Sequence, residues 1–316
     1  MDNEMKTGRY APSPSGRMHL GNVFTALVSW LSVRSAGGKW ILRIEDLDPQ
    51  RSRYEYARMI EDDLAWLGLD WDEGGLDDRG NNGPYSQSRR HDIYLSYLRL
   101  LAGKRLLYPC TCRRADILAA QAPHQSDGRI IYAGTCRPSD CPPFPPVQTE
   151  GSTLRLYVPY ETIRFMDIVY GPQESNLRAD CGDFIVRRAD GAWAYQLAVV
   201  VDDGLMGVTE VVRGNDLLLS TAQQLYLYRL LGLPAPHFAH LPLICSPDGR
   251  RLSKRDRSAS MEELRKNSSP EEIIGLLAHI AGIIPHEEPC CAEDLVPLFA
   301  WDKISDEEKI MISQKQ

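Results

Sequence analysis

Arg9-Tyr-Ala-Pro-Ser-Pro-Ser-Gly-Arg-Met-His-Leu-Gly-Asn22 is the stretch from which the fold can be read. Residues 9–11 have the look of a strand end. Pro12 and Pro14 force an extended loop, because proline fixes its own φ and biases its predecessor away from helix. Gly16 then permits a tight turn. From His19 the pattern changes: Leu20, Val23, Phe24, Leu27 and Leu31 recur at three- and four-residue intervals, which predicts a helix over 19–35. Gly37-Gly38 ends it, and Trp40-Ile-Leu-Arg-Ile44 predicts a buried strand. Strand, loop, helix, strand is a βαβ unit, and βαβ units imply a parallel sheet. A helix that starts after such a loop also offers unpaired N–H groups to phosphate oxygens.

The bulk numbers bound the rest. A chain of 316 residues can bury a sizeable core and predicts two or three structural units. Its 43% hydrophobic and 25% charged content is ordinary for a soluble protein. No apolar run approaches the ~18 residues needed to span a bilayer, and the N-terminus lacks the apolar core of a secretory signal. A cytoplasmic protein with no membrane partner is expected. With a net charge of −7, any contact with RNA must use a local basic face. Residues 51–58 and 250–257 could supply one, although both also read as solvated surface.

Helices are expected over 54–67 and 91–102, with a surface loop over 70–83. From 108 to about 160 the character changes: helical periodicity is sparse, cysteines appear, and Cys141-Pro-Pro-Phe-Pro-Pro146 is a rigid extended segment. Residues 194–201 and 208–212 read as strands, 220–231 as a helix stopped by Gly232, and 241–245 as a strand followed by a turn at 246–249. Beyond 257 the chain looks helical, with Ser269 as N-cap and Pro270 at the first helical position of a segment running to about 281. There are no internal repeats.

A second string, Arg251-Leu-Ser-Lys-Arg255, lies more than two hundred residues downstream of the first. Taken singly, a histidine near a helix start is usually structural and this string is a basic loop. Together they resemble the two signature motifs of class I aminoacyl-tRNA synthetases, and residues 11–22 are close to the glutamate and glutamine branch. The resemblance implies an α/β, Rossmann-like catalytic domain with a parallel sheet, and adenylation of an amino acid by ATP with Mg²⁺. That chemistry is mostly charge and positioning. His19 would donate to a phosphate oxygen, Gly21 would let the nucleotide approach the backbone, and Lys254 would follow the leaving pyrophosphate as a mobile charge. Pro12, Gly16, Asn22 and Ser253 complete the ATP site so implied. Arg251 and Arg255 depart from the lysine and serine of the idealised second motif.

The resemblance is to glutamyl-tRNA synthetases in particular through residues 9–13, Leu42-Arg-Ile-Glu-Asp-Leu-Asp-Pro-Gln-Arg51, Tyr195-Gln-Leu-Ala-Val-Val-Val-Asp-Asp203 and Val212-Arg-Gly-Asn-Asp216. It covers roughly the first 260 residues. It implies that Arg9 and Arg213 hold the side-chain carboxylate of L-glutamate and that Glu45 takes the ammonium, with Ala11, Ser13 and Tyr195 completing the pocket. The physics agrees, since arginine matches carboxylates bidentately and a neutral amide would leave desolvated positive charge unpaired. Asp46 and Asp48 can equally be an acidic strand end paired with Arg51 and Arg53.

Eight cysteines in a cytosolic chain suggest metal before disulfides. Cys110-Thr-Cys112 and Cys136 supply three thiolates, and a structural zinc wants four donors. Composition nominates Cys141 or His124 as the fourth; the resemblance nominates Tyr132. Three reduced cysteines without metal are the bland alternative.

Only about sixty residues follow Lys254, too few for the anticodon-binding region of a full glutamyl-tRNA synthetase. The expected organisation is a first catalytic half over 1–104, a zinc-containing insertion over 105–192, a second catalytic half over 193–257 and a short helical region over 258–316. In this the chain is similar to the glutamyl-queuosine tRNA(Asp) synthetases. These activate glutamate without tRNA and transfer it to queuosine, the modified anticodon base of tRNA(Asp). A monomer is expected. The rivals are a short glutamyl-tRNA synthetase charging the 3′ end of tRNA(Glu) and a non-catalytic RNA-binding paralogue.

Overall fold

The computed structural model describes residues 5–113, 131–140, 151–247, 249–250 and 260–312. Its opening follows the βαβ pattern. Strand β1 (Thr7–Tyr10) leads through the proline loop into helix α1 (Leu20–Ser35) and back to strand β2 (Lys39–Leu42), which pairs with β1 in parallel. All four residues of β1 are buried, and so are eleven of the sixteen residues of α1. A helix apolar on most faces must be covered on most faces. The sheet covers one side of α1, and the C-terminal elements contribute to the other. Helix and strand approach closely at Gly8: a Cβ there would lie 2.4 Å from Val33 Cγ2.

The remaining main-sheet strands are β3 (Glu73–Gly74), β6 (Thr162–Asp167), β7 (Gly171–Asn176), β9 (Glu210–Gly214) and β10 (His237–Leu241). The order across the seven strands is β3-β2-β1-β9-β10-β6-β7. Every pairing is parallel except β6 with β7. The strand order reverses between β1 and β9, so the loops leaving their C-terminal ends diverge and open a crevice. That is the usual binding position in an open α/β sheet.

Helices α2 (Tyr54–Trp66), α3 (His91–Gly103), α4 (Tyr195–Leu205) and α5 (Ser220–Leu231) pack around this sheet. They form two apolar clusters, one centred on α1 and α2 and one on α3, α4 and α5. Strands β4 (Leu107–Cys110), β5 (Thr153–Leu156) and β8 (Phe184–Arg187) make a separate antiparallel sheet. At the C-terminal end lie α6 (Met261–Asn267), α7 (Pro270–Ile280) and α8 (Ala292–Leu295). Ser269 caps α7 through a reciprocal pair of bonds with Glu272, as its position before Pro270 predicts. Among the described residues no helix is long and apolar enough to cross a membrane.

Four local expectations change. Residues 194–201 are not a strand: they open α4, with Leu197, Ala198, Val199, Val200 and Val201 all buried. A continuous apolar run does not distinguish a fully buried helix from a buried strand, and the valines tipped the reading the wrong way. The single strand expected over 241–245 is two, β10 and β11 (Leu243–Cys245), separated at Pro242. Residues 162–176, expected within the insertion, instead extend the main sheet. The C-terminal region is not purely helical, because β12 (Lys309–Met311) pairs in parallel with β11.

Candidate active site and cysteine cluster

A cleft of about 470 Å³ opens at the C-terminal ends of β1 and β9. Arg9, Ala11, Ser13, Glu45, Tyr195 and Arg213, expected to meet an amino acid, all line it. So do Pro12, Gly16, His19, Gly21 and Asn22, expected to meet ATP. Ser253 and Lys254 lie outside the described residues, as do Cys141 and His124.

The side of the cleft expected to meet ATP is built on the first turn of α1. His19 is the N-cap, and the Asn22 side chain accepts the His19 backbone N–H at 3.1 Å. Asn22 therefore shapes the helix start as well as lining the cleft. A Cβ on Gly21 would stand 3.2 Å from the His19 ring, so its missing side chain makes room for the imidazole. His19 also forms a β-bridge with Ser260, and Met261 N–H bonds to Met18 C=O at 2.9 Å. On the other side of the second motif, Leu243 and Ile244 line the same cleft. The chain flanking 251–259 is thus attached to the first motif.

The opposite side is a buried ionic network. Arg9 donates from Nε to Asp203 at 3.3 Å and from Nη1 to the Val212 carbonyl at 3.4 Å; its Nη2 makes no hydrogen bond among the described residues. Arg43, fully buried, donates to Asp203 at 2.6 Å and to Glu45 at 3.1 Å. Arg90 and Tyr94 hold Asp202 at 2.6 and 2.8 Å. Burial opposes ionisation of Asp203, but Arg43 and Arg9 outweigh it and hold its carboxyl below the ordinary value. For Glu45 burial outweighs Arg43 and Arg9, and its pKa is raised. Burial likewise raises Tyr195, against the pull of Arg213.

Arg213 differs from Arg9. Its Nε donates to His240 Nε2 at 2.9 Å, its Nη1 to Gln224 at 2.7 Å, and its Nη2 to Thr221 at 2.8 Å and the Leu217 carbonyl at 3.3 Å. The contact with His240 follows from register, since His240 sits opposite Arg213 in the β9–β10 pair. His240 Nδ1 meets Asp167 at 2.6 Å, so the ring carries its proton there and Nε2 is the acceptor. Burial lowers the Arg213 pKa, and Arg9 lowers it further. The cleft therefore holds two guanidinium groups that repel one another, one with an open nitrogen and one almost fully engaged.

Sequence reasoning missed Asp202, Asp203, Gln224, His240 and Asp167. Asp202-Asp203, an acid pair near the end of an apolar run, carried a signal: buried charge that other elements must neutralise, here Arg9, Arg43 and Arg90. The other three carried none.

Beyond the β4–β5–β8 sheet, the Sγ atoms of Cys110, Cys112 and Cys136 lie within 4.8 Å of one another. Tyr132 Oη lies among them, 3.4 Å from Cys110 Sγ and 3.9 Å from Cys112 Sγ, and accepts the Cys136 N–H at 2.6 Å. Burial opposes ionisation of Cys136, but hydrogen bonds from the Thr111 backbone and Tyr132 bring its thiol down to about 7. Among the described residues the local apolar core is small, with Tyr108, Cys110 and Tyr132 at its centre. Three thiols and a phenol converging on one point suit a thiophilic, four-coordinate ion.

Residues 5–315 match the family described as tRNA synthetases class I (E and Q), catalytic domain. The chain is 49% identical over 309 residues to the glutamyl-Q tRNA(Asp) synthetase of Symbiobacterium thermophilum, covering 96% of this chain and 95% of that one. It is 44% identical over 263 residues to glutamate–tRNA ligase 2 of Acidithiobacillus ferrooxidans, covering 82% of this chain and 54% of that one. Among solved structures it is similar to a glutamate-tRNA synthetase from Elizabethkingia anophelis, with a TM-score of 0.83 and 28% identity over 98% of this chain and 68% of that one.

Proposed function

The chain belongs to the tRNA synthetases class I (E and Q) catalytic-domain family, and from that premise we propose that it activates L-glutamate with ATP, without RNA, and then transfers the glutamyl group to queuosine in the anticodon of tRNA(Asp). The observation that carries the choice of amino acid is the pair of buried guanidinium groups in one cleft, Arg9 and Arg213, each raising the need for an anion between them. Glutamate's side-chain carboxylate meets that need, and glutamine's amide does not. Glu45, whose own pKa is raised by burial, gains a compensating charge when the substrate ammonium arrives. Ala11, Ser13 and Tyr195 close the pocket around the substrate backbone.

Arg9 is the closer match to a carboxylate, through its open Nη2, and Arg213 supplies field and shape from a held position. His19, with Pro12, Gly16, Gly21 and Asn22, takes the triphosphate at the start of α1, and Ser253 and Lys254 approach from the second motif. The α-carboxylate oxygen attacks the α-phosphorus, the bond from that phosphorus to the bridging α–β oxygen breaks, and pyrophosphate leaves; Mg²⁺ accompanying ATP would neutralise part of its charge. A hydroxyl of the acceptor base then attacks the acyl carbon, AMP leaves, and the hydroxyl proton passes to solvent. The likeness to the Symbiobacterium thermophilum protein supports queuosine as acceptor. Cys110, Cys112 and Cys136, with Tyr132 as fourth donor, would hold one structural zinc.

Exchange of pyrophosphate into ATP tests the first half. Glutamate alone should support it, glutamine should not, and RNA should be unnecessary; Lys254→Ala should abolish it. Labelled glutamate tests the second half. It should enter tRNA(Asp) bearing the modified base and not the unmodified transcript. Labelling of tRNA(Glu) at its 3′ end instead would overturn the acceptor assignment.

A further inference from the structure

Arg155 lies in β5, the middle strand of the three-stranded sheet, opposite Tyr108 of β4. Alternate residues of a strand share a face, so Arg155 is on the same face as Tyr108 and Cys110. Only 5% of it is exposed. Its guanidinium carbon stands 3.7 Å from the centroid of the Tyr132 ring. Nη1 donates to the Asp183 carbonyl at 2.8 Å, and the buried Nε has no hydrogen-bond partner among the described residues.

A buried guanidinium is ordinarily matched by a carboxylate. Arg155 forms no ion pair among the described residues. The carboxylate of Asp183 is engaged elsewhere: Tyr108 Oη and the Val158 N–H donate to it, and Arg137 and Arg178 each approach it at 3.4 Å. What Arg155 does face is the donor cluster. The ring on which it stacks carries the Oη that lies 3.4 Å from Cys110 Sγ and 3.9 Å from Cys112 Sγ. Three thiolates on one divalent zinc leave one negative charge over, so the filled cluster is the anion that this cation lacks. Stacking also fixes the plane of the ring, and with it the place of Oη among the thiols. The backbone of Tyr132 is held separately, by a bridge to Gly182, where a Cβ would stand 2.8 Å from the Tyr132 carbonyl oxygen.

We propose that Arg155 is a positioning residue of the metal site: it is the counter-charge of the zinc–thiolate cluster, and it holds the Tyr132 phenol toward the three thiols. This rests on the zinc reading given above and adds a residue outside the four donors. Without the ion, Arg155 is a buried cation lacking a match; with the ion, the pair is complete. Its charge therefore opposes the metal-free arrangement and favours the filled one, which a side chain that only packs would not do. Two variants of the full chain test it. Arg155→Met keeps the apolar stem and removes the charge, and Arg155→Lys keeps the charge. Zinc affinity is measured by competition with a chromophoric chelator, and cleavage between 105 and 160 by chymotrypsin is timed with and without zinc. Arg155→Met should bind zinc at least about tenfold more weakly than wild type, and Arg155→Lys should lose less. With zinc, Arg155→Met should be cleaved faster than wild type; without zinc, it should be cleaved no faster. Unchanged zinc affinity in Arg155→Met would overturn the proposal. So would equal losses in the two variants, or faster cleavage of metal-free Arg155→Met, since Arg155 would then act by packing. A wild-type chain that takes up no zinc would strike the zinc reading itself, and this inference with it.

Discussion

The buried arginine cluster and the cysteine cluster both concentrate groups that would be unfavourable alone, and they are supported in opposite ways. Arg9, Arg43 and Arg213 sit on or beside a parallel sheet between two large apolar clusters, and protein carboxylates, carbonyls and amides hold them. The cysteines sit beyond a three-stranded sheet, in an apolar cluster that is small among the described residues. The first region is organised by the fold before any ligand arrives. The second shows few buried apolar side chains among the described residues, and on the reading proposed above an ion completes it. Charge can be pre-organised where hydrophobic packing is plentiful; where it is sparse, a ligand has to supply the organisation.

The sharpest way to break this contrast is Arg213→Ala. It removes one guanidinium and leaves Gln224, Thr221 and His240 without their partner. Glutamate-dependent exchange should fall at least about a thousandfold in kcat/KM, on the order of 4 kcal/mol. A fall of less than tenfold would show that the cluster is only structural.

The cysteine region should respond to metal instead. Cys136→Ser should weaken zinc binding by at least roughly 100-fold, read by metal content after dialysis against a chelator. Proteolysis between 105 and 160 should accelerate while exchange stays within about tenfold of wild type. Equal loss of exchange and of local protection would erase the contrast. Because the ligands bind deprotonated, metal affinity should also weaken as pH falls, first through proton competition at Cys112, whose thiol burial raises, and more steeply below about 7, to which the Cys136 thiol is brought down.

A smaller effect tests how Arg213 is held. Burial, with Arg213 alongside, keeps His240 below its ordinary 6.5 despite the Asp167 hydrogen bond, so the ring is neutral near pH 7. As pH falls through 6.5 the unfolded chain takes up this proton first, so the stability contributed is full above 6.5 and declines below it. Protonating His240 in the folded protein removes the acceptor for Arg213 Nε and adds a like charge. The KM for glutamate should therefore rise once acidification passes the lowered His240 value, which lies under 6.5. Asp167→Asn should raise that KM by about tenfold at neutral pH with kcat nearly unchanged, the loss expected for one charge-assisted hydrogen bond. An unchanged KM with lower thermal stability would make the dyad a packing feature alone.

The smallest effect is a control far from both regions. Ser269→Ala removes the cap of α7 and should cost about 1 kcal/mol in denaturant unfolding, with exchange unaltered. A change in exchange would mean that the C-terminal helices tune the cleft.

The motif at 9–22 was legible because everything that defines it is local. The prolines, the helical spacing and the glycine end lie within one βαβ unit, and that unit is in the structure. Arg9, Glu45 and Arg213 could be named from their motifs, and all three line the cleft. The helix at 195–205 was misread because its apolar run is buried all round, which removes the periodicity that identifies a helix. The hairpin at 162–176 was placed with the insertion because nothing local tells a strand which sheet it will join.

Residue types and spacings along the chain were enough to establish an α/β nucleotide-binding opening, the kinds of donors available, and the three thiols close in sequence. They left open which nitrogens of the two arginines remain available, because those partners lie elsewhere: Asp203 is 194 residues from Arg9, and His240 is 27 residues from Arg213 across a strand pair. Hydrogen-bond partners over such separations are chosen by sheet register and helix packing, which exist only once the chain has folded.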